Sequence, residues 1–318
     1  MRIALVSPYS WSYPGGVTRH IEALAEQYLA AGHDVRVLAP HDPPDLTSTI
    51  MHRGAAPQHV REPDYLVPLG RTVGFKANGA VSNLLIGPNG MARLARELAS
   101  GRYDVAHIHE PVAPMVGWVA TLPFGLPLVG TFHSYSTKLL PNAIANGFGA
   151  TQVLNRLRVR IAVSEAAAWT GRRWYGGRYR VIPNGVRLDQ PALDQALGAS
   201  GEGRNEAAGE DDTLKIVFVG QAVERKGLPL LLRAFEALRE HIPTELTVIG
   251  PSEAELAPLL MDPRGVRALG KVDDETKQTE LLAADVLAAP SLGGESFGMV
   301  LTEAFASGTT VVASDIAG

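Results

Sequence analysis

Cysteine is absent from the 318 residues, so disulfides and thiol catalysis are excluded and a reducing compartment is weakly favoured. Neither sign of charge is in large excess: the net charge is −4, which gives no support to a nucleic-acid partner. No secretory leader is legible, because Met1-Arg2-Ile3-Ala4-Leu5-Val6-Ser7 runs into a strand-like pattern without an h-region or cleavage site; a cytoplasmic address is expected. One uncharged run, Pro111 to Phe132, has the length of a membrane span. Pro111, Pro114, Pro123 and Pro127 would break such a helix repeatedly, and the run reads instead as a short helix followed by a buried strand. The first strand-to-helix loop lacks the G-x-G-x-x-G spacing of a dinucleotide fingerprint, and no D-x-D metal motif occurs anywhere.

What is present is enough apolar material, 46% of the residues, to fill two cores in a length that suits two domains. Arg2 to Ser7 reads as a strand and Pro8 to Gly16 as a turn-rich loop. Val17, Ile21, Leu24 and Tyr28 recur at helical spacing, giving a helix over Val17 to Ala31 with Gly32 at its C′ position, and Val35 to Leu38 resumes a strand. This βαβ start puts Tyr13-Pro14-Gly15-Gly16 at the carboxyl end of a strand, where open parallel sheets bind ligands. Residues 41 to 90 read as loops around short strands, and Met91 to Leu98 as a helix. Arg71, Lys76, Arg93 and Arg96 read as a solvated basic face, with a membrane-surface patch as the alternative. Val105 to His109 and Leu128 to Phe132 read as buried strands, the second ending at His133 before the polar run Ser134-Tyr135-Ser136-Thr137-Lys138. A histidine after a strand is as readily a hydrogen-bonded structural group as a site residue, and both readings stay open. Arg160 to Ser164 is a further strand, and Ser164 with Glu165 caps a helix over Ala166 to Tyr175.

Leu193 to Asp212 has no apolar periodicity, which places a linker region at residues 181–213 between domains at 1–180 and 214–318. Strand, loop, helix and strand then start afresh at Leu214, with Arg225-Lys226-Gly227 in the first loop, a position suited to cations facing a phosphate. Near the end, Gly293-Gly294-Glu295-Ser296-Phe297-Gly298 leads into an apolar helical run, Met299 to Ala306. Glycines bring backbone N–H groups close to a ligand, and a helix N-terminus favours an anion. Glu295 stands at the mouth and Glu303 eight residues on, about 80° away around a helix axis, so one elongated ligand can touch both. This arrangement suggests a sugar at Glu295, a diphosphate at the glycine loop and a ribose at Glu303. Val311 to Ser314 is the last strand, and the absence of closing helices after it leads us to expect a truncated C-terminal end.

Together, Gly15-Gly16, Phe132-His133, Ile182-Pro183-Asn184-Gly185-Val186, Arg225-Lys226-Gly227 and Glu295-x7-Glu303 resemble the retaining glycosyltransferases of family 4 over essentially the whole chain. Within that family the order of Pro8-Tyr9-Ser10, Asn78-Gly79, Gly87-Pro88, His109-Glu110-Pro111 and Thr131-Phe132-His133 with Thr137-Lys138 is similar to the bacterial phosphatidylinositol α-mannosyltransferases. The resemblance implies an α/β GT-B fold, two Rossmann-like domains facing across a cleft. It implies hexose transfer, mannose from GDP-mannose, to a lipid such as phosphatidylinositol or to a glycan, with peripheral contact at the cytoplasmic membrane face. It implies Lys226 and Arg225 on the diphosphate, Glu295 on sugar hydroxyls, and Gly294, Ser296, Phe297 and Gly298 around the phosphates and sugar. Glu303 would hold the ribose, Gly15 and Gly16 would approach the diphosphate, and His133 would touch the sugar. Tyr9, Asn78, Thr137 and Lys138 would lie on the acceptor side. No tightly bound cofactor is implied, and Mg2+ is left open. Gln221 stands where the family usually has Arg, and Asn83, Leu84 and Leu85 where the mannosyltransferase subgroup is basic. A nucleotide-sugar epimerase of the same fold, a non-catalytic sugar-nucleotide binder and a dinucleotide-dependent dehydrogenase are the rival readings.

Overall fold

The computed structural model describes residues 1–52, 55–57, 62–77, 80–85, 87–147, 149–188, 194 and 213–317. These divide into two compact units, Met1–Asn184 and Gly185–Ala317. Asn78 and most of the region expected as linker, 181–213, namely 189–193 and 195–212, lie outside the described residues.

Unit 1 begins β1 (Arg2–Val6), α1 (Gly16–Ala30), β2 (Asp34–Ala39), α2 (Leu46–Met51) and β3 (Leu66–Pro68). It continues through β4 (Thr72–Ala77), β5 (Ala80–Leu85), α3 (Pro88–Ala99), β6 (Val105–His109), α4 (Val116–Ala120) and β7 (Leu128–Phe132). It ends with α5 (Leu139–Gly147), α6 (Ala150–Leu154), β8 (Val159–Ala162), α7 (Glu165–Tyr175) and β9 (Arg180–Val181). Seven strands form one parallel sheet in the order β3-β2-β1-β6-β7-β8-β9. The order reverses between β1 and β6, so the loops leaving those two strands diverge and open a crevice at the carboxyl edge. β1 buries four of its five residues and β2 four of its six, as central strands covered by helices do. Val17, Ile21, Leu24, Ala25 and Tyr28 from α1 pack with Trp11, Leu5 and Val37. α1 stops where expected: Gly32 takes φ +80 and the Gly32 and His33 N–H groups donate to Leu29 and Tyr28 carbonyls. At α7, Ser164 Oγ accepts from the Ala167 N–H, the cap its sequence announces.

The long uncharged run resolves into α4 and β7, and among the described residues no helix is long and apolar enough to cross a membrane. Residues 41 to 90 hold more order than their prolines and glycines suggest. β4 and β5 form an antiparallel hairpin apart from the main sheet, joined to the loop after β1 by a Tyr9–Leu84 bridge and a Ser10 N–H to Asn83 carbonyl bond of 3.1 Å. β3 is one of the short strands expected there, whereas α2 was not read, and α5 and α6 occupy a stretch in which no helix was read.

Unit 2 runs β10 (Leu214–Val219), α8 (Leu228–Leu238), β11 (Thr244–Ile249), α9 (Glu253–Leu256), β12 (Val266–Gly270), α10 (Asp274–Ala283), β13 (Val286–Ala289), α11 (Met299–Ala306) and β14 (Thr310–Ala313). Its parallel sheet has the order β12-β11-β10-β13-β14, reversing between β10 and β13. Phe218, Leu228, Leu232 and Phe235 fill one face, and Val217, Leu281, Leu287 and Ala304 the other. α9 is short and acidic, closed by a reciprocal capping box between Ser252 and Glu255. β12 and α10 were not read from the sequence: β12 has no buried residue, Arg267 being exposed and the rest half-buried, and the first two turns of α10 are almost wholly polar.

At Gly227, φ is +68 and an added Cβ would lie 1.9 Å from the Pro290 carbonyl oxygen. Gly227→Ala is expected to destabilise unit 2 by about 1–3 kcal/mol. Gly15→Ala, at an extended φ of −128 with nothing within 4 Å, is expected to change stability little. Urea denaturation of the two variants checks the contrast.

Candidate active site

The reversal point of unit 2 gathers most of the residues expected to bind the donor. The chain leaves β10 through an exposed Gln221 and makes one 3-10 turn, Glu224–Lys226, that presents two adjacent cations before closing at Gly227. The Leu292 N–H donates to the Arg225 carbonyl over 2.7 Å, tying this turn to the loop after β13. Arg225 Nη1 and Lys226 Nζ both donate to Glu295 Oε1, at 3.0 and 2.5 Å, and Ser291 Oγ donates to the same oxygen at 3.3 Å. The three charged side chains are between 18 and 29% exposed, so they are neither deeply buried nor freely hydrated. One carboxylate shared by two cations leaves one positive charge in excess. Arg225 Nε is buried with no hydrogen-bond partner, an unused donor at the same place.

Gly293, Gly294 and Gly298 take φ of +152, +72 and +74, which is why this loop is glycine-rich. Gly298 is the left-handed N-cap of α11, and no side chain caps that helix. Ser296 and Phe297 sit half-buried in the same loop. Glu295 therefore precedes the helix by four residues, and its separation from Glu303 is set by the loop rather than by the helical angle expected above. Glu303 lies on α11 and accepts from Lys277 Nζ at 2.9 Å; Lys277 also pairs with Asp274 at 3.2 Å. Lys277 was missed because α10 was missed. The legible signal was Asp273 three residues before Thr276: its carboxylate accepts the Thr276 N–H and starts the helix that carries Lys277.

Unit 1 gathers a different set at its own carboxyl edge. His133, just past β7, is buried, and its Nε2 lies 3.0 Å from Nδ1 of the fully buried His109 at the end of β6. His107 stacks on His109 and bonds Thr131 Oγ1 at 2.6 Å, and His20 from α1 stands edge-on to both His109 and His133. Burial lowers the affinity of all four rings for a proton, His107 to about 4, and the neighbouring rings add to the shift at His107, His109 and His133. Glu110 is buried beside them with φ +50, outside ordinary space for a non-glycine, and its Oε2 accepts the His133 N–H at 3.0 Å. Burial pushes the Glu110 carboxyl up to about 7 against the pull of its hydrogen bonds. The Tyr9 phenol is raised by burial and then by the Glu110 charge, which places that expected acceptor residue in the same cluster.

Gly15 and Gly16 lie exposed at the start of α1, with no atom within 4 Å of a Cβ added to Gly15, so its lack of a side chain leaves open backbone rather than tight packing. Thr137 and Lys138 are exposed at the end of a loop held by the Ser136 N–H to Thr170 and by Trp174 Nε1 to the Ser136 carbonyl, each 3.0 Å. Of the basic residues, Arg71 is engaged by Asp45 and Ser48, while Arg93 and Arg96 are exposed, as a solvated face requires. His20 and His107 carry no motif: His20 looks like a polar position on an amphipathic helix and His107 like a polar residue within a buried strand, and only the pattern His107-x-His109 hinted at a ring stack.

Residues 14–190 match the Glycosyltransferase Family 4 model and residues 213–318 the model for glycosyl transferases group 1. The chain is 40% identical over 328 aligned positions to a phosphatidyl-myo-inositol mannosyltransferase of Mycolicibacterium smegmatis, covering 99% of this chain and 76% of the relative. A protein of the same name from Propionibacterium freudenreichii is 33% identical, covering 99% and 77%. Among solved structures, the sucrose-phosphate synthase of Thermosynechococcus elongatus superposes with a TM-score of 0.65 at 20% identity, covering 100% of this chain and 82% of the other. The HepE protein of Anabaena in complex with UDP and glucose gives 0.63 at 20% identity, with the same coverage. At that identity the structural likeness speaks for the two-domain α/β fold.

The shifted groups of unit 1 pull stability in opposite directions. Between pH 4 and 6.5 the unfolded chain binds more protons at the four histidines than the folded one, so their contribution falls as pH drops. Between about 4.5 and 7 the folded chain binds more at Glu110, so its contribution falls as pH rises. Four rings outnumber one carboxyl, and the melting temperature is expected to drop from pH 7 to pH 4.5. In Glu110→Gln the opposing term is gone and the drop should be steeper, which calorimetric scans across that range check.

Proposed function

This chain belongs to glycosyltransferase family 4, and we propose that it transfers mannose from GDP-mannose, with retention at the anomeric carbon, to the inositol ring of a phosphatidylinositol lipid. The observation that carries the reading is the pairing of Arg225 and Lys226 with Glu295 where the strand order of unit 2 reverses, beside the uncapped N-terminus of α11. Transfer breaks the bond between the anomeric carbon and a diphosphate oxygen, so negative charge grows on the leaving group. Two cations, backbone N–H groups and a helix N-terminus stabilise that charge without a metal ligand set. The acceptor hydroxyl attacks from the face the diphosphate leaves, its proton passes to a departing phosphate oxygen, and the configuration is kept.

In this reading Glu295 takes the sugar hydroxyls, Gly294 and residues 296–298 line the phosphates and sugar, and Glu303 holds the ribose. His133 touches the sugar beside the reacting carbon, and Gly15 and Gly16 approach the diphosphate. Tyr9, Thr137 and Lys138 serve the acceptor, as does Asn78. The names borne by the relatives support the sugar and the lipid. A lipid acceptor also puts the enzyme at a membrane surface, as a peripheral protein.

Calorimetry with GDP-mannose, UDP-glucose and UDP-N-acetylglucosamine is expected to give binding of GDP-mannose alone, and mass spectrometry a mannosylated product with phosphatidylinositol vesicles. Lys226→Ala and Glu295→Ala should each lower kcat about 100-fold or more, the scale of removing one preorganised charge-stabilising group. Wild-type rates in both variants would refute the site; transfer to a soluble glycan but not to the lipid would refute the acceptor.

A further inference from the structure

We propose that His20, His109 and His133 form a binding site for a zinc-class divalent cation within unit 1. One nitrogen of each ring belongs to a set whose members all lie within 4.8 Å of one another. The rings come from three separate elements, the second turn of α1, the end of β6 and the residue after β7, and their centroids are 5.3 to 5.5 Å apart in every pairing. Zinc holds imidazole nitrogens at about 2.0–2.1 Å, which sets nitrogens on a tetrahedron roughly 3.3 Å apart. His109 Nδ1 and His133 Nε2 already meet at 3.0 Å, so the rings stand within the range an ion needs.

Three further observations point to a ligand. His109 Nε2 is buried and has no hydrogen-bond partner, so this nitrogen, on the other side of the ring from the Nδ1 that meets His133, is the one His109 has free to offer an ion. Burial keeps the rings neutral at pH 7, the form that offers a lone pair to a metal. Behind them, His107 stacks on His109 and is anchored on Thr131, while the Glu110 carboxyl accepts the His133 backbone N–H and fixes where that ring starts. An all-imidazole set selects Zn2+, Co2+, Ni2+ or Cu2+ over Mg2+ and Ca2+, which want oxygen. Three protein ligands leave a fourth position to water. Metal occupancy would engage His133, so on the transfer reading above the cation is an inhibitor of transfer rather than its cofactor.

The test is titration of the chelator-stripped full chain with Co2+, read by the visible d–d bands of four-coordinate cobalt. One equivalent is expected to develop the bands, Zn2+ to abolish them and excess Mg2+ to leave them unchanged. His20→Gln and His109→Gln should lose the bands with far-UV circular dichroism intact, while His33→Gln on the exposed loop after α1 keeps them. Should His109→Gln fail to fold, broadening of the His20 and His133 imidazole proton resonances of the wild-type chain by Co2+ serves instead. No four-coordinate spectrum at one equivalent, or bands retained in folded His20→Gln, would overturn the site. Binding and transfer are read separately: cobalt bound with transfer unchanged would overturn the role of His133 in transfer and leave the metal site standing.

Discussion

Unit 2 depends on one close approach of backbone. The Pro290 carbonyl oxygen occupies the space a side chain on Gly227 would need, so the turn after β10 and the loop after β13 are pressed together where the strand order reverses. A second approach of the same kind sets the Gly220 carbonyl against Gly250, where φ is +120. These contacts fix backbone rather than side chains, yet they decide where the side chains go: the turn can present Arg225 and Lys226 to Glu295 only because nothing separates the two loops. Packing on both faces of the sheet holds the strands that carry the loops. The chemistry of the site is thus set by glycines that take no part in it.

Unit 1 solves the same topological problem with polar burial. The ends of β6 and β7 carry three histidines and a carboxyl into the interior, and the edge tolerates them because each finds a neighbour: Thr131 for His107, His109 for His133, and the His133 backbone for Glu110. Desolvation removes the charge from the rings. The left-handed backbone at Glu110 belongs to the same arrangement, since it is where the strand's direction is abandoned and the carboxyl turned inward.

Much of this was legible in the sequence wherever the signal is local. Strand-to-loop transitions at Val6, Phe132 and Val219, the capped helix at Ser164 and the glycine loop before Met299 follow from hydrophobic period and turn chemistry over a few residues, and the structure places them within a residue or two. Most of the described candidate residues that came with the family motifs fall in loops at the carboxyl edges of the two sheets, while Glu303 lies within α11. Pairings of residues distant in sequence were not legible. Lys277 meets Glu303 through a helix whose opening turns, Asp-Glu-Thr-Lys-Gln-Thr-Glu, carry no apolar stripe. The hairpin over 72–77 and 80–85 was obscured by the prolines and glycines around it, and His20 reads as an ordinary polar position on α1. The angle drawn between Glu295 and Glu303 failed for a definite reason: the left-handed Gly298 begins the helix after Glu295 rather than before it.

The carboxylate that Arg225 and Lys226 share has a consequence for any anion that comes to them. Because both cations already hold Glu295, an arriving anion meets one positive charge in excess rather than two. The free energy it gains is reduced by the carboxylate already there and is not the full attraction of two cations. Glu295 thus behaves as a built-in competitor: it keeps the cations aligned while the site is empty, and it is on hand to reclaim them once a spent ligand loosens. Such a site grips its anion moderately and releases it readily, a property that suits turnover better than storage.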